Sequence, residues 1–157
     1  HYEIPWRNRF TVSLSSQFGW ISNQNVDSFF HFYLGGMPGI KGYPFYSIQG
    51  AKSAMLDLTF RAPLFSEKHL KAKWIIFQNS TIGAIFQTGD AWSNDDLDLK
   101  RSIGIQWRLN GYSFYNFPTA IELEYHQPLD KFTREINGKT IQYGDDGRAY
   151  VKVLFDF

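Results

Sequence analysis

Residues Phe10-Thr11-Val12-Ser13-Leu14-Ser15-Ser16-Gln17-Phe18-Gly19-Trp20 set apolar side chains at 10, 12, 14, 18 and 20 against small or polar ones at 11, 13, 15, 17 and 19. Successive side chains of a strand point to opposite sides, so strict alternation marks a β-strand whose two faces meet different surroundings. The same pattern returns at Phe30, Phe32 and Leu34, and at Ala54, Leu56, Leu58, Phe60, Ala62 and Leu64, interleaved with Met55, Asp57, Thr59 and Arg61. It recurs at Ile103, Ile105, Trp107 and Leu109, at Phe117, Ile121, Leu123 and Tyr125, and at Val151, Val153, Phe155 and Phe157. No segment sustains the 3.6-residue period of an amphipathic helix, and the chain reads as all-β and antiparallel.

The polar face decides which all-β class to expect. A soluble sandwich turns that face to water and fills it with Lys and Glu. Here it is mostly Ser, Thr, Gly and Gln with a few charges, the make-up of a wet barrel lumen behind an apolar wall. Composition agrees, because 157 residues that are 43% hydrophobic and 18% aromatic nevertheless have a negative mean hydropathy. No run approaches the ~20 apolar residues of a membrane helix. Sixteen basic against fifteen acidic side chains give no electrostatic reason to expect nucleic acid as a partner. Cysteine is absent, which excludes disulfides and thiolate metal sites. The chain starts at His1 with neither Met nor a signal peptide and reads as a mature or cut fragment.

Residues 72–89 set the strand count. Trp74, Ile76, Ile82, Ala84 and Phe86 hold one phase straight through Asn79-Ser80, where a two-residue hairpin would reverse it. One long strand is therefore expected, among about seven in all: 8–20, 28–35, 51–64, 72–89, 99–110, 117–127 and 147–157. An odd number leaves two open edges, since bacterial single-chain barrels have even counts. The chain is thus expected to be one segment, 1–157, of a larger barrel, its edges paired by an N-terminal half or by another chain. With Phe157 on the periplasmic side, 36–50, 90–98 and 128–146 become extracellular, and 21–27, 65–71 and 110–116 become short periplasmic turns. Long loops then fall on one side, as outer-membrane barrels require.

Leu34-Gly-Gly-Met-Pro-Gly-Ile-Lys-Gly-Tyr-Pro-Phe-Tyr-Ser-Ile-Gln-Gly50 is the most informative connection. Gly35, Gly36, Gly39 and Gly42 with two prolines turn it tightly. Ile40, Tyr43, Phe45, Tyr46 and Ile48 suit it poorly to water, so the loop is expected to fold back and pack inside, against strands 51–64 and 72–89.

These residues resemble the bacterial surface-antigen superfamily, the outer-membrane assembly insertases and their polypeptide-translocating relatives. In that family a strand ending in Gly-Gly leads to an Arg-Gly-Phe or Arg-Gly-Tyr loop that inserts into the lumen. Ile40-Lys41-Gly42-Tyr43, after Gly35-Gly36, is similar to it. Phe60-Arg61-Ala62-Pro63-Leu64 resembles the family's strand end, and Phe86-Gln87-Thr88-Gly89-Asp90-Ala91-Trp92 its glycine strand. Val151, Val153, Phe155 and the terminal Phe157 resemble the carboxy-terminal barrel signal. The ordered set covers roughly residues 28–157. It implies the last seven or so strands of a transmembrane barrel of about sixteen. It further implies outer-membrane localisation, contact with lipid, and a role in outer-membrane protein assembly or polypeptide translocation, with unfolded polypeptide as substrate. Three positions depart from the family. Lys41 replaces the loop arginine, Gln87 an acidic residue, and Thr59 a glutamate before the strand-end proline. Lysine is a point charge and cannot make the planar bidentate pair. The loop is therefore expected to dock at Thr59, Arg61, Gln87 and Gly89 through weaker polar or apolar contacts rather than an ionic lock.

Other polar groups read plainly. Glu122 and Glu124, two apart on one face, suit a hydrated wall balanced by Arg108 or Arg61 better than paired-carboxylate hydrolysis. Asn94, Asp95, Asp96, Asp98, Asp145 and Asp146 lack a calcium-loop spacing and read as solvated loops. His1, His31, His69 and His126 show no zinc spacing, and no Gly-x-Ser-x-Gly elbow exists. Trp20, Trp92, Tyr112, Phe114, Tyr115 and Phe117 sit near strand ends as an interfacial girdle would. Lys68, Lys71 and Lys73 read as a solvated turn. No catalytic residue, metal or cofactor is expected. The rival expectations are a barrel that merely anchors an upstream propeller or hydrolase domain, and a soluble β-sandwich or lipocalin-like binder.

Overall fold

The alternating segments pair into an antiparallel meander. A computed structural model of the chain describes residues 2–6, 10–22, 27–65, 70–93, 97–114, 117–136 and 138–155. Its strands are β1 (Tyr2–Trp6), β2 (Phe10–Trp20), β3 (Phe32–Tyr33), β4 (Gln49–Gly50), β5 (Lys52–Phe65), β6 (Leu70–Ala72), β7 (Ile75–Trp92), β8 (Lys100–Ser113), β9 (Phe117–Pro128), β10 (Phe132–Ile136), β11 (Lys139–Tyr143) and β12 (Arg148–Phe155). The main sheet runs β1-β2-β5-β7-β8-β9-β12, with β6 paired only to β7. Every pair in it is antiparallel. The sheet is open, with β1 and β12 as its edges.

Register gathers the alternation into two faces. One cross-strand row reads Val12–Phe60–Ala84–Ile105–Tyr125, and another reads Ile82–Trp107–Leu123–Val151. These rows are exposed, Ile105 at 62% and Val151 at 69%, as is Phe18 at 82% on the same strand phase of β2. The opposite face carries Thr11–Arg61–Gly83–Gln106–Glu124–Tyr150 and Ser15–Asp57–Gln87–Ser102–Pro128. There Gln87, Ser102, Gln106, Glu122, Glu124 and His126 are buried. The usual arrangement of a water-soluble sheet is inverted: large apolar side chains face out and charged ones are covered.

The cover is the connection from β2 to β5. It begins with a 3-10 turn, Ser28–Phe30, capped by the Asp27 side chain, which accepts the Phe29 N–H at 3.0 Å. It then pairs β3 with β4 and closes on a small core of Leu34, Ile40, Tyr43, Ile48, Met55 and Ala91, joined by Phe132. The expected strand 28–35 is therefore absent from the main sheet. Its alternating Phe30, Phe32 and Leu34 spend only two residues in pairing, and β2 pairs directly with β5 from Thr11↔Arg61 to Trp20↔Lys52. As a result 21–27 is no short turn at the far end but the first part of this long connection.

Among the described residues the sheet has eight strands, seven along its main path, where β1 takes the place of the expected strand 28–35, and β6 beside β7. Residues 128–146 also contain the separate hairpin β10–β11. The long strand is continuous through Asn79-Ser80, with a register shift between Phe77 and Asn79. It starts at Ile75, because Lys73-Trp74 turns the chain back onto β6. The connections from β2 to β5, β7 to β8 and β9 to β12 leave from one end of the sheet, and those from β1 to β2, β5 to β7 and β8 to β9 from the other. His1, Lys68, His69, Asn94, Asp95, Asp96, Tyr115 and Phe157 lie outside the described residues.

Candidate functional site

Loop 34–50 is the site, and tight turning brings it close enough to the wall to bond with it. Gly36 takes φ +82°, a left-handed value that L side chains rarely adopt, and sets the turn. Gly42 lets the backbone touch β8 and β9: a Cβ there would sit 2.7 Å from Ser102 Cβ and 3.1 Å from the Pro128 nitrogen. Between them Ile40, and beyond them Tyr43, are fully buried. We expect Gly42→Val to weaken docking by about 1–3 kcal/mol, the usual range for overpacking. A lower denaturant midpoint and faster tryptic cleavage after Lys41 would register it.

Lys41 is held on every side. Its Nζ donates to both carboxylate oxygens of Glu124, at 2.9 and 2.7 Å. Its N–H donates to Gln87 Oε1 at 2.9 Å, and its carbonyl accepts the Tyr150 hydroxyl at 2.8 Å. The Gln87 amide nitrogen donates in turn to Asp57 Oδ2 at 2.6 Å and Gly39 O at 3.4 Å. The expectation of a non-ionic docking is therefore corrected. An ion pair is made, but its carboxylate comes from β9 and not from the glycine strand β7. Lysine reaches it because a long stem and a point charge need no planar partner.

Glu124 is the hub of this wall. Lys152 Nζ lies 3.0 Å from its Oε2, His126 Nε2 lies 3.3 Å from the same oxygen, and Gln106 Nε2 donates to Oε1 at 3.1 Å. Lys152 also bridges to Glu122 at 2.8 Å, and Arg108 reaches Glu122 at 3.5 Å. Buried charges are tolerated only when paired and hydrogen-bonded. Both carboxylates meet that condition, Glu122 through Arg108 as the sequence suggested and Glu124 through Lys41 and Lys152. His126 is fully buried beside Gly104, where a Cβ would strike the imidazole.

The expected docking positions divide. Gln87 touches the loop, as above. Gly89 sits opposite Met55 in the β5–β7 ladder, where a Cβ would press on the Ala54 carbonyl. Thr59 and Arg61 serve the wall instead: Thr59 Oγ1 donates to Asp57 Oδ1 at 2.9 Å, while Arg61 donates to Gln106 Oε1 and Ser13 Oγ, each at 3.0 Å. Gly35 forms a bridge with Ile40 inside the loop. Val151, Val153 and Phe155 lie exposed on β12.

Arg101, Asp130 and Arg134, which the sequence did not mark as partners of the loop, secure the rest of it. Tyr43 Oη shares its proton between Asp130 O at 2.9 Å and Arg101 O at 3.1 Å, and accepts the Asp130 N–H at 3.3 Å. Burial pushes the Tyr43 phenol up to about 12. Asp130 is itself gripped by Arg101, Nε at 3.0 Å and Nη2 at 2.7 Å, which holds its carboxyl below the ordinary range. Arg134 of β10 donates to the carbonyls of Tyr46 and Ser47 at 3.3 Å and to Gln49. What the arrangement does chemically is hold: the Lys41–Glu124 ion pair and hydrogen bonds from β7, β8, β9, β12 and the β10–β11 hairpin converge on one loop. Among the described residues no three metal-ligating side chains cluster. No protein-family model, curated protein or solved structure matches the chain.

Proposed function

We propose that this chain is a segment of a transmembrane β-barrel of the outer membrane, of surface-antigen type, whose lumen is braced by loop 34–50. On this reading the barrel takes part in the assembly or translocation of outer-membrane polypeptides. The observation that carries the membrane reading is the inversion of faces. Rows of Phe, Ile, Leu, Val and Trp are exposed while Glu122, Glu124 and His126 are covered. Lipid is the solvent that makes such a face favourable. Strands β2, β5, β7, β8 and β9, of 11 to 18 residues, are long enough to cross a bilayer, for which ~9–11 suffice. The open edges β1 and β12 would pair with the strands that complete the barrel, as no backbone group can face lipid unpaired. The polypeptide role rests on the resemblance of the 34–50 loop and its flanking strands.

Leu123 tests the membrane reading, because it stands mid-strand on β9 in the exposed row between Trp107 and Val151. Leu123→Arg is expected to cost about 2–4 kcal/mol of stability in a lipid bilayer, the range for a midplane arginine on a barrel wall. Urea unfolding in vesicles measures it. An unchanged midpoint, or a wild-type chain that stays monodisperse in buffer without detergent, would point to the soluble sandwich instead.

A second reading, a barrel that only anchors another domain, is favoured by the tightness of the loop, with Ile40 and Tyr43 fully buried. Cells carrying Lys41→Ala separate the two. Loss of outer-membrane protein assembly supports the first, and normal assembly supports the anchor.

A further inference from the structure

The end of the sheet opposite loop 34–50 carries a feature that holding the loop does not require. Two non-glycine residues there have left-handed backbones, Lys73 at φ 52° and Phe114 at φ 31°. One lies in the β6–β7 turn and the other in the β8–β9 turn, and the two turns are stapled together. The Phe114 N–H donates to Trp74 O at 3.2 Å, and the Trp74 and Phe114 rings lie 5.7 Å apart. Strain at such positions persists only where surrounding contacts enforce it, and it often marks a working surface. Here it produces an aromatic pair turned outward, Trp74 61% and Phe114 54% exposed, with Lys73 Nζ 6.0 Å from the Trp74 ring centre and Lys71 exposed nearby.

Charge is divided between the two ends in the same sense. At the end carrying Trp74 and Phe114, the described residues 70–74 and Phe114 include Lys71 and Lys73 and no acidic side chain. The described residues of the connections at the other end, 27–51, 97–99, 129–136 and 138–147, hold six acidic and four basic side chains. Tryptophan and phenylalanine suit the interfacial layer of a membrane, and lysine beside them suits phosphate headgroups.

We infer that the short-turn end, centred on Lys71, Lys73, Trp74 and Phe114, is a docking surface for anionic phospholipid headgroups that fixes which way the barrel stands in its membrane. This rests on the membrane reading above. The test is flotation of the full chain, refolded from detergent, with vesicles of pure phosphatidylcholine and with vesicles containing phosphatidylglycerol. Wild type is expected to bind both, and the anionic ones more tightly, with the preference collapsing at high salt. Lys71→Ala and Lys73→Ala should each reduce anionic binding about fivefold, the worth of one basic residue at an anionic surface. Lys139→Ala, an exposed lysine at the opposite end, should leave it unchanged. Equal affinity for the two vesicles, or equal losses from Lys73→Ala and Lys139→Ala, would overturn the headgroup surface and leave the membrane reading intact. Failure to bind either vesicle would overturn both.

Discussion

Glu124→Ala is expected to free loop 34–50 and to cost the fold about 3–5 kcal/mol, the range for removing one partner of a buried charge pair. The carboxylate lost is the one that Lys41 holds with two bonds and that Lys152 and Gln106 also contact. With it gone, Lys41 sits beneath the loop with no counter-charge and must leave or carry water in with it. Lys152 keeps Glu122 at 2.8 Å, so the damage centres on the loop and spares the edge strand. Lys41→Met should cost less, because Glu124 retains Lys152, His126 and Gln106. The double variant Lys41→Met, Glu124→Leu should recover much of the loss, since apolar pairs of similar volume replace buried ion pairs at little cost. Urea midpoints of the four proteins form the cycle, and tryptic cleavage after Lys41 reports loop release. Additive losses in the cycle would show that the two side chains do not act as a pair.

Tyr43→Ala is expected to have a comparable effect, about 3–5 kcal/mol, by a different cause. A fully buried ring is removed from the core shared by Leu34, Ile40, Ile48, Met55 and Phe132, and a cavity remains. Tyr43→Phe keeps the ring and loses only the hydroxyl between Asp130 and Arg101, which is worth about 1–2 kcal/mol. The two variants separate packing from hydrogen bonding. The phenol also sets a pH dependence. Its folded pKa is raised to about 12 from an ordinary 10, so its stabilising contribution is complete below pH 10 and disappears as pH climbs toward 12. Alkaline unfolding midpoints of wild type and Tyr43→Phe should therefore converge across that window. A constant difference between them from pH 8 to 12 would refute the assignment.

Much of the sheet was legible because alternation is a local property. Residues 51–64 and 99–110 show their two faces without reference to any neighbour, and β5 and β8 extend them by only a few residues. The unbroken phase through Asn79-Ser80 likewise forbade a turn, and β7 runs through it. Phe30, Phe32 and Leu34 alternate as well, yet they serve a loop. Three apolar residues on one phase can fill a small loop core as readily as a sheet, and which they do depends on whether β2 finds β5 first. The hairpin β10–β11 and strand β1 were not legible because each is short, five residues to a strand, and β1 carries a proline at Pro5.

Loop 34–50 shows the same division. Its glycines, Lys41 and Tyr43 marked it as a segment that must fold back, a conclusion that follows from composition and turn chemistry alone. Its partners did not follow. Comparing Lys41 with Gln87 and Thr59 suggested that no carboxylate would meet it, whereas one arrives from β9, 83 positions along the chain. By itself the sequence determined a two-faced antiparallel sheet with polar side chains on one side and apolar ones on the other, since strand geometry converts period two directly into faces. Only the tertiary structure decided which carboxylate receives Lys41 and which carbonyls receive Tyr43. Those choices depend on the summed register of β5, β7, β8 and β9 and on the path of the loop across them, and a shift of one residue in any pairing would turn Glu124 to the other face.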